Sequence, residues 1–294
     1  MFSKKKFYRI LESLIKKILN YINNSDSSAL KKTIRSAVWY TSGAKKVLFS
    51  EVNDQKYLLP GSDLISQLMY IDGNFDYPIL KNSLKFLEKK NSRTTLVNVG
   101  AHVGTTCIPA IKNKNFKNLI AFEPVKKSFR FLKANIILNE IENKTKIYNL
   151  ALSSKKTKLY LSERNKYNIG SSRVVKKKKK NSEKVQTDIL DNYTKNLNKN
   201  NSLIFIDAEG HEPYILLGAR KTIQKKIPII IEFYPQLLDK NWLKNFSLAF
   251  KNYKYFYILQ EKKLKRKFNK KNLISLFNKI NLEKNVYYKD LLII

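Results

Sequence analysis

The stretch Thr94–Gly104, TTLVNVGAHVG, decides the fold of this chain. A short apolar run ends in Gly100 and Gly104, and residues 105–111 then begin a helical pattern, which together predict a strand, a tight turn and a helix. In a doubly wound α/β sheet, the first turn of this kind lies at the carboxyl edge, where cofactors bind. Glycine suits the turn because it tolerates positive φ and lets a ligand approach the backbone. The full G-x-G-x-x-G fingerprint is absent, so an ordinary strand-to-helix turn stays an alternative at this point.

A second strand with an acidic residue at its end favours the cofactor interpretation. Residues 119–122 form an apolar run closed by Glu123, and residues 126–138 repeat apolar side chains at helical spacing. Glu123 follows the glycine turn at about the spacing, roughly 20 residues, at which α/β cofactor enzymes place an acid that accepts hydrogen bonds from ribose hydroxyls. Two independent features therefore predict a nucleotide-type cofactor at this edge of the sheet.

Ionisable side chains gather after a later apolar run at residues 203–206. Asp207, Glu209, Glu212 and His211 occupy the turn and the helix start that follow this run. Single acids in turns commonly cap helices, but several ionisable groups where a sheet opens are typical of a functional site. We therefore expect a second part of the site here, with Glu232 at the end of the next buried strand.

The remaining elements follow from hydrophobic periodicity. Further strands are predicted at residues 145–150, 155–161, 185–188, 227–233, 253–259 and 286–294, and helices at residues 189–197, 212–219 and around 273–280. We expect residues 185–188 to return to the central sheet. The polar stretch 162–182 contains a lysine run at 176–180, which fits either a solvated loop or a loop that recognises an anion.

The composition predicts a globular chain with a strongly basic surface. Its 294 residues are 43% hydrophobic, and 58 Lys and Arg against 23 Asp and Glu give a net charge of +35. Such a charge indicates either an anionic partner or a generally basic surface from a coding bias toward Lys and Asn. With Cys107 as the one cysteine and two histidines in all, the sequence excludes an intramolecular disulfide and speaks against a Cys/His zinc site. A carboxylate cluster could hold Mg²⁺, but nothing in its spacing demands an ion, so no metal-binding residues are assigned from the sequence.

The N-terminal third divides into two parts that precede the α/β domain. Residues 1–26 are predicted to form a basic amphipathic helix. This helix either lies on an anionic membrane surface through residues 1–24, or it docks on the protein body or on a second subunit. Residues 27–93 form a cap segment with a hairpin turning at Asn53-Asp54 and helices interrupted near Gly73. Residues 94–294 form the α/β domain. No apolar run approaches the ~18 residues that span a bilayer, so we expect a cytoplasmic protein, at most peripheral to the inner face of the membrane.

These motifs together resemble the FkbM-type S-adenosylmethionine-dependent methyltransferases, a family associated with O-methylation of sugars and related hydroxyls. Residues 98–104 are similar to its opening D-x-G-A-N-x-G motif, Glu123-Pro124 to the acid after its second strand, and residues 205–219 to its later D-x-E-G-x-E segment. Residues 187–191 look like a slipped version of its T-L-D segment. The similarity runs in order from about residue 62 to Glu232. Asn98 replaces the usual Asp, His102 the usual Asn, and Phe205 a common Lys.

The resemblance implies a fold, a cofactor and a set of site residues. The fold is a doubly wound, Rossmann-like methyltransferase sheet, mostly parallel with an antiparallel C-terminal strand, preceded by a helical and hairpin extension. The cofactor is S-adenosylmethionine, and the acceptor is a sugar or glycan hydroxyl. The implied cofactor-binding residues are Asn98, Gly100, Ala101, His102, Gly104, Glu123, Ala151 and Asp207. The base that takes the hydroxyl proton is sought among His211, Glu209 and Asp207, with the first two favoured.

Two rival functions stay open on the sequence. The basic charge would suit a nucleic-acid methyltransferase, but the basic residues are scattered and no N-P-P-Y-type motif follows the fourth strand, so nucleic acid is not the expected partner. A non-catalytic binding protein would keep the fold while Asn98 and His102 mark a decayed cofactor site. The sequence makes no prediction of the oligomeric state.

Overall fold

The computed structural model describes residues 28–41, 47–61, 63–87, 94–162, 169–175, 182–235, 242–261, 265–282 and 288–294, together with Ser13, Lys17 and Lys178. The amphipathic helix predicted for residues 1–26 lies outside these residues, apart from Ser13 and Lys17, which are helical. The lysine run at 176–180 also lies outside them, apart from Lys178.

An eight-stranded sheet forms the centre of the molecule. Its strands in spatial order are β13 (Lys265–Lys267), β12 (Tyr255–Ile258), β14 (Lys289–Ile293), β11 (Ile229–Phe233), β10 (Ser202–Ile206), β3 (Thr95–Val99), β4 (Asn118–Phe122) and β5 (Thr145–Tyr148). The five strands from β11 to β5 are parallel, and β14 runs antiparallel between β11 and β12. This is the predicted Rossmann-like sheet with its antiparallel C-terminal strand. The strand order reverses on either side of β3, which makes the carboxyl end of β3 the switch point where ligands bind.

Helices cover both faces of this sheet. They are α1 (Ser28–Thr41), α2 (Leu64–Asp72), α3 (Tyr77–Leu84), α4 (Cys107–Lys112), α5 (Lys126–Leu138), α6 (Glu212–Leu217), α7 (Arg220–Gln224), α8 (Trp242–Ala249) and α9 (Lys270–Leu282). Every residue of β3, β10 and β11 is buried, because central parallel strands pack against helices on both sides. Alternate residues of β3 enter different cores, Val97 and Val99 on one face and Leu96 on the other. None of the helices within the described residues has the length and apolarity to cross a membrane.

The predicted hairpin is present and is fastened to the sheet domain by two asparagines. Strands β1 (Val47–Val52) and β2 (Gln55–Pro60) pair antiparallel around Asn53 and Asp54, whose φ angles are 50° and 62°. On α5, the Asn135 Oδ1 accepts a hydrogen bond from the Leu58 amide at 2.7 Å. Directly after α5, the Asn139 Oδ1 accepts one from the Lys56 amide at 3.0 Å. Asn135 Nδ2 also donates to the Val103 carbonyl at 2.9 Å. The hairpin and the glycine turn therefore share one anchor.

Two predictions about residues 182–197 are wrong. Strand β9 (Ser182–Asp188) does not return to the central sheet but joins a separate four-stranded sheet, in the order β6 (Ala151–Leu152), β9, β7 (Thr157–Ser162), β8 (Arg173–Val175). All six residues of β7 pair with β9, so the partner of this segment is a strand outside the central sheet. The helix predicted for residues 189–197 is only a 3₁₀ turn, Leu190–Asn192. The Asp188 carboxylate accepts hydrogen bonds from the Ile189 amide and from the side chains of Asn192 and Tyr193, and such local bonds compete with helix formation.

Candidate active site

The glycine turn after β3 packs directly against the end of β10. Gly100 has a φ of 82°, and a Cβ atom built on it would lie 1.8 Å from the backbone oxygen of Asp207. Any side chain at this position would push the two strand ends apart. The amides of Gly100 and Ala101 both donate to the Phe122 carbonyl, at 2.9 and 3.0 Å, so the turn is also fixed to the end of β4. Glycine is required here by the meeting of three strand ends.

Glu123 holds this turn in place with both of its carboxylate oxygens. Its Oε2 accepts a hydrogen bond from the His102 amide and its Oε1 one from the Val125 amide, each at 2.8 Å. The side chain is 5% exposed and lines the cleft beside the turn, and burial raises its pKa to about 7. A carboxylate oxygen has two lone-pair sites, so each oxygen can accept one further hydrogen bond from a ligand. Glu123 is thus both a structural support and an acceptor facing the cleft.

His102 links the turn to the cap segment. Its φ is 49°, a left-handed conformation that asparagine adopts more readily than histidine. Its Nε2 lies 3.4 Å from the Oδ2 of Asp63, and burial lowers the pKa of the imidazole. Asp63 also caps α2 by accepting from the Ser66 amide at 2.9 Å, and it accepts from the Ile169 amide at 3.0 Å. One buried carboxylate therefore ties the cap helix and residues 169–171 to the cofactor turn.

The structure does not bring every predicted cofactor residue to the surface of the cleft. His102, Gly100, Glu123, Ala151 and Asp207 line it. Asn98, Ala101 and Gly104 lie behind its wall. Asn98 is 1% exposed, and both polar atoms of its amide lack a hydrogen-bond partner among the described residues.

The cleft lies at the switch point and has two chemically different ends. The cleft has a volume of about 850 Å³, and this volume includes the part that is open to solvent. One end is apolar and is formed by Phe122, Val125, Leu150, Ala151, Leu152, Leu161 and Val174. The other end carries Asp76, Asp207, Glu209 and His211. A ligand with a flat apolar part and a polar, cationic part suits this division.

Six carboxylates cluster at the polar end of the cleft and behind it, two more than the sequence pointed to. Asp207, Glu209, Glu212 and Glu232 were expected there; the tertiary structure adds Asp76, next to α3, and Asp290, on β14 directly opposite Glu232. Burial first, and then repulsion between the carboxylates, raises the pKa of Asp207 and of Glu232 well above the usual range. The same causes raise the pKa of Asp76 to about 8. No sequence motif marked Asp76 or Asp290, because their neighbours in space are distant in the chain.

The turn after β10 contains a non-glycine residue with a positive φ, and this backbone conformation sets the direction of its side chains. Glu209 has a φ of 52°, and its carboxylate lies 3.4 Å from Nη2 of Arg173. Glu212 closes the turn, since its Oε1 accepts hydrogen bonds from the amides of Ala208 at 2.8 Å and Gly210 at 3.3 Å. A non-glycine residue held at positive φ stores strain, and such strain clusters at functional sites.

His211 is held beside the cleft in its neutral form. Its Nε2 lies 3.0 Å from the Oγ of Ser153, and its ring stacks on Tyr214 with 4.8 Å between centroids. Burial lowers the pKa of His211 to about 4, so it is uncharged at neutral pH. This makes it a hydrogen-bonding group rather than a strong base.

The sheet order, the glycine turn and the acid after β4 define a Rossmann-like methyltransferase. The chain belongs to the FkbM methyltransferase family, because residues 98–267 match the Methyltransferase FkbM domain. Its cofactor is S-adenosylmethionine, and the cleft fits it: Glu123 has free acceptor sites, one end is apolar, and the carboxylates at the other end suit a cation.

Comparisons with other proteins add the following. No protein of curated function matches the sequence. The methyltransferase FkbM of Methylobacillus flagellatus KT has 13% identity and a TM-score of 0.45, over 89% of this chain and 59% of the other. TYW2 of M. jannaschii in complex with AdoMet has 11% identity and a TM-score of 0.40, over 85% of each chain. At these values neither similarity bears on what this chain methylates.

Proposed function

We propose that this chain transfers the methyl group of S-adenosylmethionine to a hydroxyl oxygen of a sugar or glycan. The observation that carries the proposal is the group of carboxylates, Asp76, Asp207 and Glu209, in the same cleft as the glycine turn. Carboxylate oxygens are good acceptors for hydroxyl hydrogens, and a few placed polar groups give a pocket its specificity. Polyhydroxylated acceptors match that chemistry.

A polar groove next to the cleft has room for the rest of such an acceptor. It is lined by Ser153, Ser154, Lys155, Thr157, Leu159, Arg173, Val174, Val175, Glu209, Gly210, His211 and Tyr214. Glu209 and His211 line both the groove and the cleft. Tyr214 is 42% exposed and offers an aromatic surface. An acceptor in the groove can therefore present one hydroxyl to the cleft at Glu209.

The charge at the polar end argues against a nucleic-acid acceptor. Phosphate backbones bind through Lys and Arg, and they are repelled by grouped carboxylates. Among the described residues, six acids meet at the site, whereas Lys155 and Arg173 are the basic residues that line the adjoining groove.

Catalysis requires the protein to hold the acceptor hydroxyl in line with the methyl–sulfur bond and to remove the hydroxyl proton. The bound cofactor supplies an electrophilic methyl group on a positively charged sulfur. We propose Glu209 as the base that takes this proton, because it lines both the cleft and the groove and is held at a strained φ. The Glu209 carboxylate would take the O–H proton as the hydroxyl oxygen forms its bond to the methyl carbon and the methyl–sulfur bond breaks, which leaves the cofactor as a neutral thioether. His211 stabilises the turn through Ser153 and Tyr214.

Radiolabelled methyl transfer to a panel of mono- and oligosaccharides, with RNA as the competing acceptor, tests this proposal. We expect an alkali-stable label on the sugar and a loss of about 100-fold or more in kcat for Glu209→Gln, typical of a missing general base. The affinity for S-adenosylmethionine should stay within about twofold. Glu51→Gln, an exposed acid on the hairpin, is the control and should behave as the wild type. Label on RNA alone, or full activity in Glu209→Gln, would contradict the proposal.

A further inference from the structure

We propose that Asp207, Glu212 and Glu232 form a binding site for one hard divalent cation, Mg²⁺, Mn²⁺ or Ca²⁺. One carboxylate oxygen from each residue lies within 4.8 Å of the other two. Oxygen ligands lie about 2.0 to 2.6 Å from these ions, so two ligands on opposite sides are about 4 to 5.2 Å apart. A single ion can therefore touch all three carboxylates without a change in the backbone.

The three carboxylates are presented by rigid elements. Asp207 follows β10, Glu232 lies on β11, and these neighbouring strands pair in parallel. Glu212 begins α6, and the amides of Ala208 and Gly210 already hold its Oε1, which leaves its second oxygen for a ligand. Sites built on strands and helices keep their ligands at fixed positions, as metal coordination requires.

Glu232 supplies a second observation that points to a ligand. It is 9% exposed, and its Oε2 is buried with no hydrogen-bond partner among the described residues. Asp290 lies directly opposite it on β14, so the nearest cross-strand neighbour is another acid. Within the described part of the chain, no Lys or Arg forms an ion pair with any of the three carboxylates. An unpaired buried carboxylate is costly, and a cation removes that cost.

The position of the site favours a small ion over the methyl donor as the ligand. Asp207 lines the cleft, whereas Glu212 and Glu232 do not. A cofactor in the cleft can reach Asp207 but not the two acids behind it. A bound ion would join the ends of β10 and β11 to the turn that carries Glu209. The sequence alone assigned no metal-binding residues, because the spacing of its carboxylates allows Mg²⁺ without demanding it.

Electron paramagnetic resonance of Mn²⁺ with chelator-treated full-length protein tests the site. We expect one bound Mn²⁺ per chain, displaced by Mg²⁺ or Ca²⁺, and an affinity at least about tenfold lower in Glu232→Gln and in Asp207→Asn. Glu142→Gln, an exposed acid in a 3₁₀ turn, is the matched control and should bind as the wild type. Absence of binding at about 1 mM Mn²⁺, or unchanged binding in both variants, would overturn the proposal.

Thermal melting separates ligand loss from misfolding. Mn²⁺ should raise the Tm of the wild type and of Glu142→Gln, and leave that of Glu232→Gln unchanged. Without metal, Glu232→Gln should melt at or above the wild-type temperature, because it removes a repelled charge and keeps the volume. An equal Mn²⁺-induced rise in Glu232→Gln would refute the site. No acceptor is used, so a negative result leaves the sugar proposal standing, and failed sugar methylation leaves the metal site standing.

Discussion

Replacing Glu123 by Gln should weaken cofactor binding and change its pH dependence. The carboxylate accepts two backbone amides at 2.8 Å and keeps two further acceptor sites toward the cleft. A glutamine has one acceptor oxygen, so its NH₂ group must face the other amide or the ligand. Hydrogen bonds to a charged acceptor contribute about 1.5 to 3 kcal/mol and neutral ones about 0.5 to 1.5 kcal/mol. We expect S-adenosylmethionine binding to weaken by about 1 to 3 kcal/mol, a 5- to 150-fold rise in Kd.

The pH dependence gives a second, independent measurement. Burial raises the pKa of Glu123 from 4.5 to about 7, which corresponds to about 3 kcal/mol. Because the folded pKa is above the unfolded one, the folded state binds more protons between these values, and this group's contribution to stability falls as pH rises from about 4.5 to 7. Cofactor affinity should do the opposite and rise through pH 7 as the carboxylate ionises. The Glu123 contribution to both trends should be absent in Glu123→Gln, whereas Asp76, Asp207 and Glu232 still make stability fall as pH rises.

Calorimetric titration at several pH values, with S-adenosylmethionine and its 2′-deoxyribose analogue, is the assay. Loss of the ribose hydroxyl should cost the wild type affinity but leave Glu123→Gln nearly unaffected, as in a double-mutant cycle. Glu142→Gln again serves as control. An unchanged Kd in a folded Glu123→Gln variant, or an equal analogue penalty in both proteins, would show that Glu123 only supports the turn.

Three further changes test the remaining parts of the argument. Gly100→Ala should lower the free energy of unfolding by at least about 2 kcal/mol, because the alanine Cβ would meet the Asp207 carbonyl. The same displacement of the turn should abolish cofactor binding. Urea denaturation measures the free energy of unfolding. Asn98→Asp should destabilise the fold by about several kcal/mol, because it buries an unpaired charge. Asn98→Leu should be neutral or stabilising, because it removes a buried amide that has no hydrogen-bond partner among the described residues. A loss of stability in Asn98→Leu would show that the amide has a partner. Deleting residues 1–24 should leave cofactor binding intact. If the helix lies on a membrane surface, the deletion also reduces sedimentation with anionic vesicles, whereas equal sedimentation favours the docked helix.

Several features of the site could be read from residues close together in the chain. The two glycines, the acid after β4 and the ionisable turn after β10 were predicted at the places where the structure has them. Each depends on a local cause, such as a positive φ or the end of an apolar strand, and local causes leave a pattern in consecutive residues. The family resemblance rested on these same motifs and is confirmed by the match over residues 98–267.

Other features depend on contacts between distant segments. Residues 182–188 have the alternation of any half-buried strand, and only their pairing with β7 decides that they leave the central sheet. Helix α8 and strand β13 were not predicted at all.

The sequence by itself determined the parallel strands at the centre of the sheet, the glycine turn and the acid after β4, because backbone sterics and hydrophobic periodicity act between neighbours in the chain. Only the tertiary structure decided that Asn98 is sealed behind the cleft and that Asp76 and Asp290 join the acids of β10 and β11. Burial and electrostatic repulsion act through space, so side chains more than 200 residues apart can share one site while nothing in the sequence between them records it.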